Sequence, residues 1–226
     1  GMFFSNISSR SPFSFVASAN VILMVGAKPV FVDIDPKSLN MDPAKVEGAI
    51  TRRTKAILAV ETFGNPAHMD VYEQIARKHD LRMVEDCCEA LGASHRGRPA
   101  GNFGDVGVFA FYPNKQITTG EGGCIITSNR RIAEMCRSLR NQGRPIPKPD
   151  APAGNVASPG VGSWLSHERL GYNYRLSEVN SAIGVGQMRR LDEILARRQS
   201  VATAYMQRLM DSTHLILPTI HAESVM

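Results

Sequence analysis

The 226 residues hold no run of about 18 apolar side chains, so no segment reads as a membrane-spanning helix. The opening Gly1-Met2-Phe3-Phe4-Ser5 has neither the basic start nor the apolar stretch of a secretory signal. A glycine ahead of Met2 reads as an added residue, with Met2 the natural start. Cysteine is scarce. Cys87, Cys88, Cys124 and Cys136 show no zinc-ligand spacing, and a disulfide between the adjacent Cys87 and Cys88 would be strained. The reading that follows is four reduced thiols in a cytoplasmic protein. His68, His79, His95, His167, His214 and His221 form no cluster, so none is assigned a catalytic role. There is no internal repeat and no low-complexity tract.

What remains is ordinary for a globular protein: 43% hydrophobic and 21% charged residues, enough for one sizeable core. The net charge of +5 comes with arginine clusters at Arg130, Arg131, Arg137, Arg140 and Arg144, and at Arg189, Arg190, Arg197, Arg198 and Arg208. These read as solvated helix faces. No nucleic-acid motif accompanies them, whereas an anionic, phosphorylated small molecule suits the charge.

Short apolar strands alternate with amphipathic helices. Strands are expected over 28–35, 55–60, 81–85, 106–111 and 124–127. The continuous apolar run Lys55-Ala-Ile-Leu-Ala-Val60 has the character of a buried parallel strand. Asp42-Pro43 supplies an N-cap and a first-turn proline for a helix to about Ile50. Asp70 is expected to cap a second helix, and Asn129 a third that places Ile132, Met135, Cys136 and Leu139 inward and closes at Gly143. From Ser177 a long helix follows, with Val179, Ile183, Leu191, Ile194, Leu195, Ala202, Tyr205 and Leu209 on its apolar face and Gly184 and Gly186 as kink sites. Residues 144–166 read as a long Pro- and Gly-rich loop. The pattern predicts an α/β three-layer sandwich with a mostly parallel sheet.

Ligands of such sheets collect at the carboxyl ends of the strands. Two chemical groups fall there. Asp86 ends the strand in Arg82-Met-Val-Glu-Asp86, and Lys115 follows the next strand in Phe109-Ala-Phe-Tyr-Pro-Asn-Lys115-Gln-Ile-Thr-Thr-Gly-Glu-Gly-Gly123. A lysine in a Gly- and Thr-rich turn is partly withdrawn from water, which favours the neutral, nucleophilic amine. A strand-end lysine and a strand-end carboxylate are the two protein groups that pyridoxal 5'-phosphate (PLP) chemistry requires. The competing reading makes Lys115 a solvated loop lysine and Asp86 a turn cap.

The order of these pieces resembles the DegT/StrS-type nucleotide-sugar aminotransferases, PLP enzymes of fold type I. The segments that carry the resemblance are Ser11-Pro-Phe-Ser-Phe-Val-Ala-Ser-Ala-Asn20, Pro29-Val-Phe-Val-Asp-Ile-Asp35, Glu85-Asp-Cys-Cys-Glu-Ala-Leu-Gly-Ala93, Gly101-Asn-Phe-Gly-Asp105, the lysine segment, and Leu170-Gly-Tyr-Asn-Tyr-Arg-Leu-Ser177. The resemblance implies that Lys115 is the Schiff-base lysine and general acid/base, and that Asp86 pairs with the pyridinium nitrogen. It implies further that Phe15 stacks on the cofactor ring and that Glu89, where relatives commonly carry Gln, lies near the phenolic oxygen. Asn173 would reach the cofactor phosphate of a neighbouring subunit, which implies a homodimer. Asp105, Gly101 and Gly104 would shape a turn.

Within the family, a lysine at position 115 separates aminotransferases from sugar dehydratases, which carry His there. The implied activity is therefore amination of a nucleotide-linked keto sugar, a 4-keto-6-deoxyhexose, with glutamate as donor. Two departures stand against it. Ala110 replaces a Ser whose hydroxyl contacts the phosphate, and the N-terminal phosphate-binding turn and the C-terminal small domain of relatives are missing. Residues 1–176 are accordingly expected to be a truncated PLP-binding large domain, and 177–226 a helix leading toward an absent small domain. The alternative function is an inactive remnant that serves as a dimerisation or regulatory partner.

Overall fold

A computed structural model describes residues 7–10, 12–146, 166–218 and 223–225. The loop expected over 144–166 lies mostly outside them. Two compact units emerge: one runs from the first strand to Ile126 and resumes at Val179, the other is Thr127–Glu178.

The first unit is organised by β3 (Ala56–Val60) and β4 (Arg82–Asp86), which pair in parallel from Ala56↔Arg82 to Val60↔Asp86. Around them β1 (Ile7–Arg10), β2 (Pro29–Phe31), β7 (Val106–Ala110) and β8 (Gly123–Ile126) complete the order β2-β1-β3-β4-β7-β8. Every pairing is parallel except β7 with β8. A smaller antiparallel sheet joins β5 (Ser94–His95), β6 (Arg98–Pro99) and β9 (Ser224–Val225) in the order β6-β5-β9. The expected α/β sandwich with a mostly parallel sheet is what forms. A strand at Ile7–Arg10 was not anticipated.

Both faces of the central strands are covered, as a continuous apolar run demands. Ile57, Ala59 and Met83 face a core built with Met69, Tyr72, Ile75 and Ala76 of α3 (Met69–Lys78) and Val46 of α2 (Pro43–Val46). Leu58, Val60 and Val84 face Ile22 of α1 (Ala17–Met24). This alternation puts Asp86, two residues beyond Val84, on the α1 face, and Glu85 on the α3 face. The phenol of Tyr72, fully buried, donates to the Met41 carbonyl at 2.5 Å. Tyr72→Phe strands that carbonyl, with an expected cost of about 1–3 kcal/mol in urea unfolding.

Asp42 caps α2 as expected, accepting from the Ala44 N–H at 3.0 Å, and a 3₁₀ turn at Glu47–Ala49 extends it. Asp70 does not cap α3. His68 holds the N-cap position with φ +71°, and Asp70 instead receives His95 Nε2 at 3.2 Å and Arg96 at 2.7 Å. Two long-range donors outcompete one local cap. His68 and His79 likewise contact carboxylates, Asp35 and Glu47, so these histidines serve the scaffold.

The long C-terminal helix is two helices, α5 (Glu178–Met188) and α6 (Leu191–Leu209). The break falls at Arg189–Arg190, where Arg190 leaves helical geometry (φ −111°, ψ 11°), not at Gly184 or Gly186. Asp192 and Glu193 in the first turn of α6 explain it: they favour a new helix N-terminus there, and Arg190 bonds Glu193 at 3.3 Å. The expected apolar face is not covered, with Val179, Ile183 and Tyr205 exposed. No helix among the described residues is long and apolar enough to cross a membrane.

In the second unit, Asn129 caps α4 (Arg130–Leu139) through the N–H groups of Arg131 and Ile132. Ile132, Met135, Cys136 and Leu139 are only half-buried there. Beyond the helix, Gly143 (φ +73°) returns its N–H to the Ser138 carbonyl at 2.9 Å.

Candidate active site at the strand ends

Asp86 is the last residue of β4, and β7, which leads to Lys115, is its parallel neighbour through Asp86↔Val108. Asp86 is held at two points. Its Oδ2 accepts from the Ser18 hydroxyl of α1 at 2.5 Å, and its Oδ1 accepts from the Cys88 N–H at 3.2 Å. Ser18 was not singled out from the sequence. A serine in the otherwise apolar helix sequence Ala-Ser-Ala-Asn-Val-Ile-Leu-Met was the available signal.

After β7 the chain turns tightly, with the Lys115 N–H donating to the Tyr112 carbonyl at 3.0 Å. The loop then folds back on Phe111. Its carbonyl accepts from the Thr119 N–H at 2.9 Å and the Thr118 hydroxyl at 3.1 Å, while its N–H reaches Gly122 at 2.8 Å. Gly120 sits at φ +80°, a conformation that requires no Cβ. Helix α5 pins the same loop: Gln187 Oε1 accepts from the Thr118 N–H at 3.3 Å, and the Asn180 amide donates to the Glu121 carbonyl at 3.0 Å. Neither residue was anticipated, because the contacts span 59 to 69 positions in sequence.

The Lys115 side chain is 16% exposed, and its Nζ lies 3.3 Å from Glu89 Oε1. Glu89 gathers three segments. Its Oε2 accepts from the Phe63 N–H at 3.1 Å, and its carbonyl accepts from the Gln116 side-chain amide. The backbone at Gly64 (φ +82°) passes so close that an added Cβ would stand 2.4 Å from the Glu89 carbonyl. Lys115 and Asp86 both act on Cys88: burial first, then the Asp86 charge, push its thiol up, while Lys115 pulls the other way.

Phe15, just ahead of α1, is 79% exposed. Asn173 lies in the second unit, in an isolated bridge with Asn141, next to the stacked rings of Tyr172 and Tyr174. Of the five residues singled out from sequence, Asp86, Glu89 and Lys115 share one neighbourhood. Gly101 and Gly104 do shape a turn, whose N–H groups point at Glu85. Asp105 fastens the same turn to β4 through the Met83 N–H at 2.9 Å. All four cysteines are free.

A lysine on the turn after β7 and a carboxylate at the end of the neighbouring β4 are the kind of pair that would fit PLP, the amine for covalent attachment and the carboxylate for the ring nitrogen. Comparison with known proteins agrees. The DegT/DnrJ/EryC1/StrS aminotransferase family matches residues 10–226. A GDP-perosamine synthase of Caulobacter vibrioides is 42% identical over 196 residues, 87% of this chain and 49% of that protein. Among solved structures, the aminotransferase TlmJ of Streptoalloteichus hindustanus superposes with a TM-score of 0.85 at 30% identity, covering 97% of this chain and 56% of that one. The Escherichia coli GDP-4-keto-6-deoxy-D-mannose-3-dehydratase, solved with hydrated PLP, gives 0.88 at 30% identity, covering 97% and 57%. The chain therefore spans about half the length of the relatives it matches.

Proposed function

The chain belongs to the DegT/DnrJ/EryC1/StrS aminotransferase family, and from that premise we propose that it carries the catalytic half-site of a PLP-dependent aminotransferase acting on nucleotide-linked keto sugars. The observation that carries this reading is a largely buried Lys115, held against Glu89 on the turn that follows β7, the parallel neighbour of the strand that ends in Asp86. When bound, PLP supplies an electron sink for the carbon that bears the amine. Asp86, fixed by Ser18 and the Cys88 N–H, presents a carboxylate that keeps a ring nitrogen protonated. Lys115 would hold the cofactor, and its amine is placed to act as the general acid/base of the site. Glu89 orients the lysine and holds the Phe63 segment beside it. Phe15 offers the stacking face.

The substrate class is a nucleotide-linked 4-keto-6-deoxyhexose with glutamate as donor, supported by the likeness to a GDP-perosamine synthase. A homodimer completes the reading. Leu23 and Met24 of α1 and Val179 and Tyr205 of α5 and α6 leave apolar surface that a second copy would cover, and Asn173 of that copy would reach the cofactor phosphate. A second reading is a non-catalytic pairing partner, for which the exposed apolar residues of α1, α5 and α6 would supply the contact surface.

The test is incubation of the chain with PLP, glutamate and a nucleotide-linked 4-keto-6-deoxyhexose. Formation of 2-oxoglutarate and amino sugar in equal amounts is the expected result. A lysine-dependent absorbance band without product would favour the non-catalytic reading.

A further inference from the structure

Behind Asp86, on the opposite face of the sheet, two carboxyl groups and a thiol are sealed together. Glu61, Glu85 and Cys87 are all 0% exposed, and one donor atom from each lies within 4.8 Å of the others. Glu85 accepts from three backbone donors, the N–H groups of Phe103 (2.6 Å) and Gly104 (2.5 Å) on Oε1 and that of Gly101 (2.9 Å) on Oε2, which leaves Oε2 one further lone pair. Glu61 is the opposite. Among the described residues its Oε1 accepts only the Cys87 thiol, at 3.6 Å, and its Oε2 is buried with no partner. The titratable groups facing it are Glu85 and Asp86 of β4 and Cys87 just beyond, all of them acids. An ionised Glu61 would thus be a second buried negative charge with no donor for Oε2.

We infer that Glu61 is a neutral carboxylic acid whose O–H donates to the Glu85 carboxylate, so that the two buried groups share one proton. The proton turns the orphan Oε2 into a donor and leaves one negative charge on the pair. The Glu61 N–H, a backbone donor that the proton does not alter, separately ties this residue to the Asp86 carbonyl at 3.1 Å. Burial, and then the Glu85 charge, raise Glu61 well above the ordinary carboxylate range. Burial also raises Glu85, against its three N–H donors. A divalent metal is a poor rival occupant, because Glu85 has already committed both oxygens to backbone donors. The inference does not depend on the proposed function, and its test reads the protein alone.

The sign follows from linkage. The native chain keeps a proton that the unfolded chain releases above the ordinary carboxylate value. Stability from this group is therefore full in acid and falls as pH rises toward the native value. Glu61→Gln keeps a neutral donor of the same shape and removes the titration. Urea unfolding of both proteins across pH, in EDTA, is expected to show the folding constant of Glu61→Gln gaining on wild type by up to about tenfold per pH unit over that window. Infrared spectra of the wild-type chain are expected to show a protonated carboxyl C=O band that shifts in D2O, disappears on raising pH and is missing from Glu61→Gln. Parallel stability profiles, absence of that band, or a wild-type profile that changes on adding zinc would each overturn the inference. Should Glu61→Gln fail to fold, titration of the wild-type band decides alone.

Discussion

Lys115→Ala is expected to lower amine transfer by about 10³-fold or more while leaving the fold intact. Loss of a general acid/base alone removes roughly 10²–10⁴-fold, and the same amine is the covalent attachment point. The fold should tolerate the change. The side chain makes one ion pair, with a Glu89 side chain that is 44% exposed, and such pairs contribute within about 1 kcal/mol. The loop around it is held by backbone bonds to Phe111 and by Gln187 and Asn180, none of which uses the amine. Steady-state amine transfer beside urea unfolding separates the two effects. Equal loss of stability and activity would mean that Lys115 is a structural residue.

Asp86→Asn is expected to weaken PLP binding by roughly tenfold to a hundredfold, the cost of a charge-assisted hydrogen bond of about 1.5–3 kcal/mol. Turnover should fall as well, since an amide cannot keep a ring nitrogen protonated. The Ser18 hydroxyl can still donate to the amide oxygen, so the position of residue 86 is retained. Binding followed by absorbance titration with PLP checks the first effect. Unchanged affinity would place the ring nitrogen elsewhere.

The legible parts of this molecule were those with a local physical cause. The apolar run at 56–60 could only be a buried strand, and Asp42 before Pro43 could only start a helix. Asp86 and Lys115 announced themselves by lying at the ends of such strands. What escaped depended on distant partners. Ile7–Arg10 becomes a strand because β2 and β3 pair with it, not through its own pattern. Asp70 had the form of a helix cap, but His95 and Arg96 claim it. The glycines at 184 and 186 were natural breaks, yet charge at Asp192 and Glu193 sets the boundary a few residues later. Glu61 lies in no motif, and its significance appears only when Glu85 is brought beside it. The site's candidate residues were readable because Asp86 ends β4 and Lys115 follows β7. Its supports were not, because α1, α5 and the β3 loop reach it through the fold.

The central claim is that Lys115, held against Glu89 and near Asp86, is the amine that takes the cofactor. Incubating the whole chain with PLP, reducing with borohydride and mapping the modified peptides tests it directly. The account predicts phosphopyridoxyl-lysine concentrated at Lys115, at a PLP concentration that leaves the other lysines unmodified. Label spread over surface lysines such as Lys45 and Lys78, with Lys115 no more reactive than they are, would contradict it.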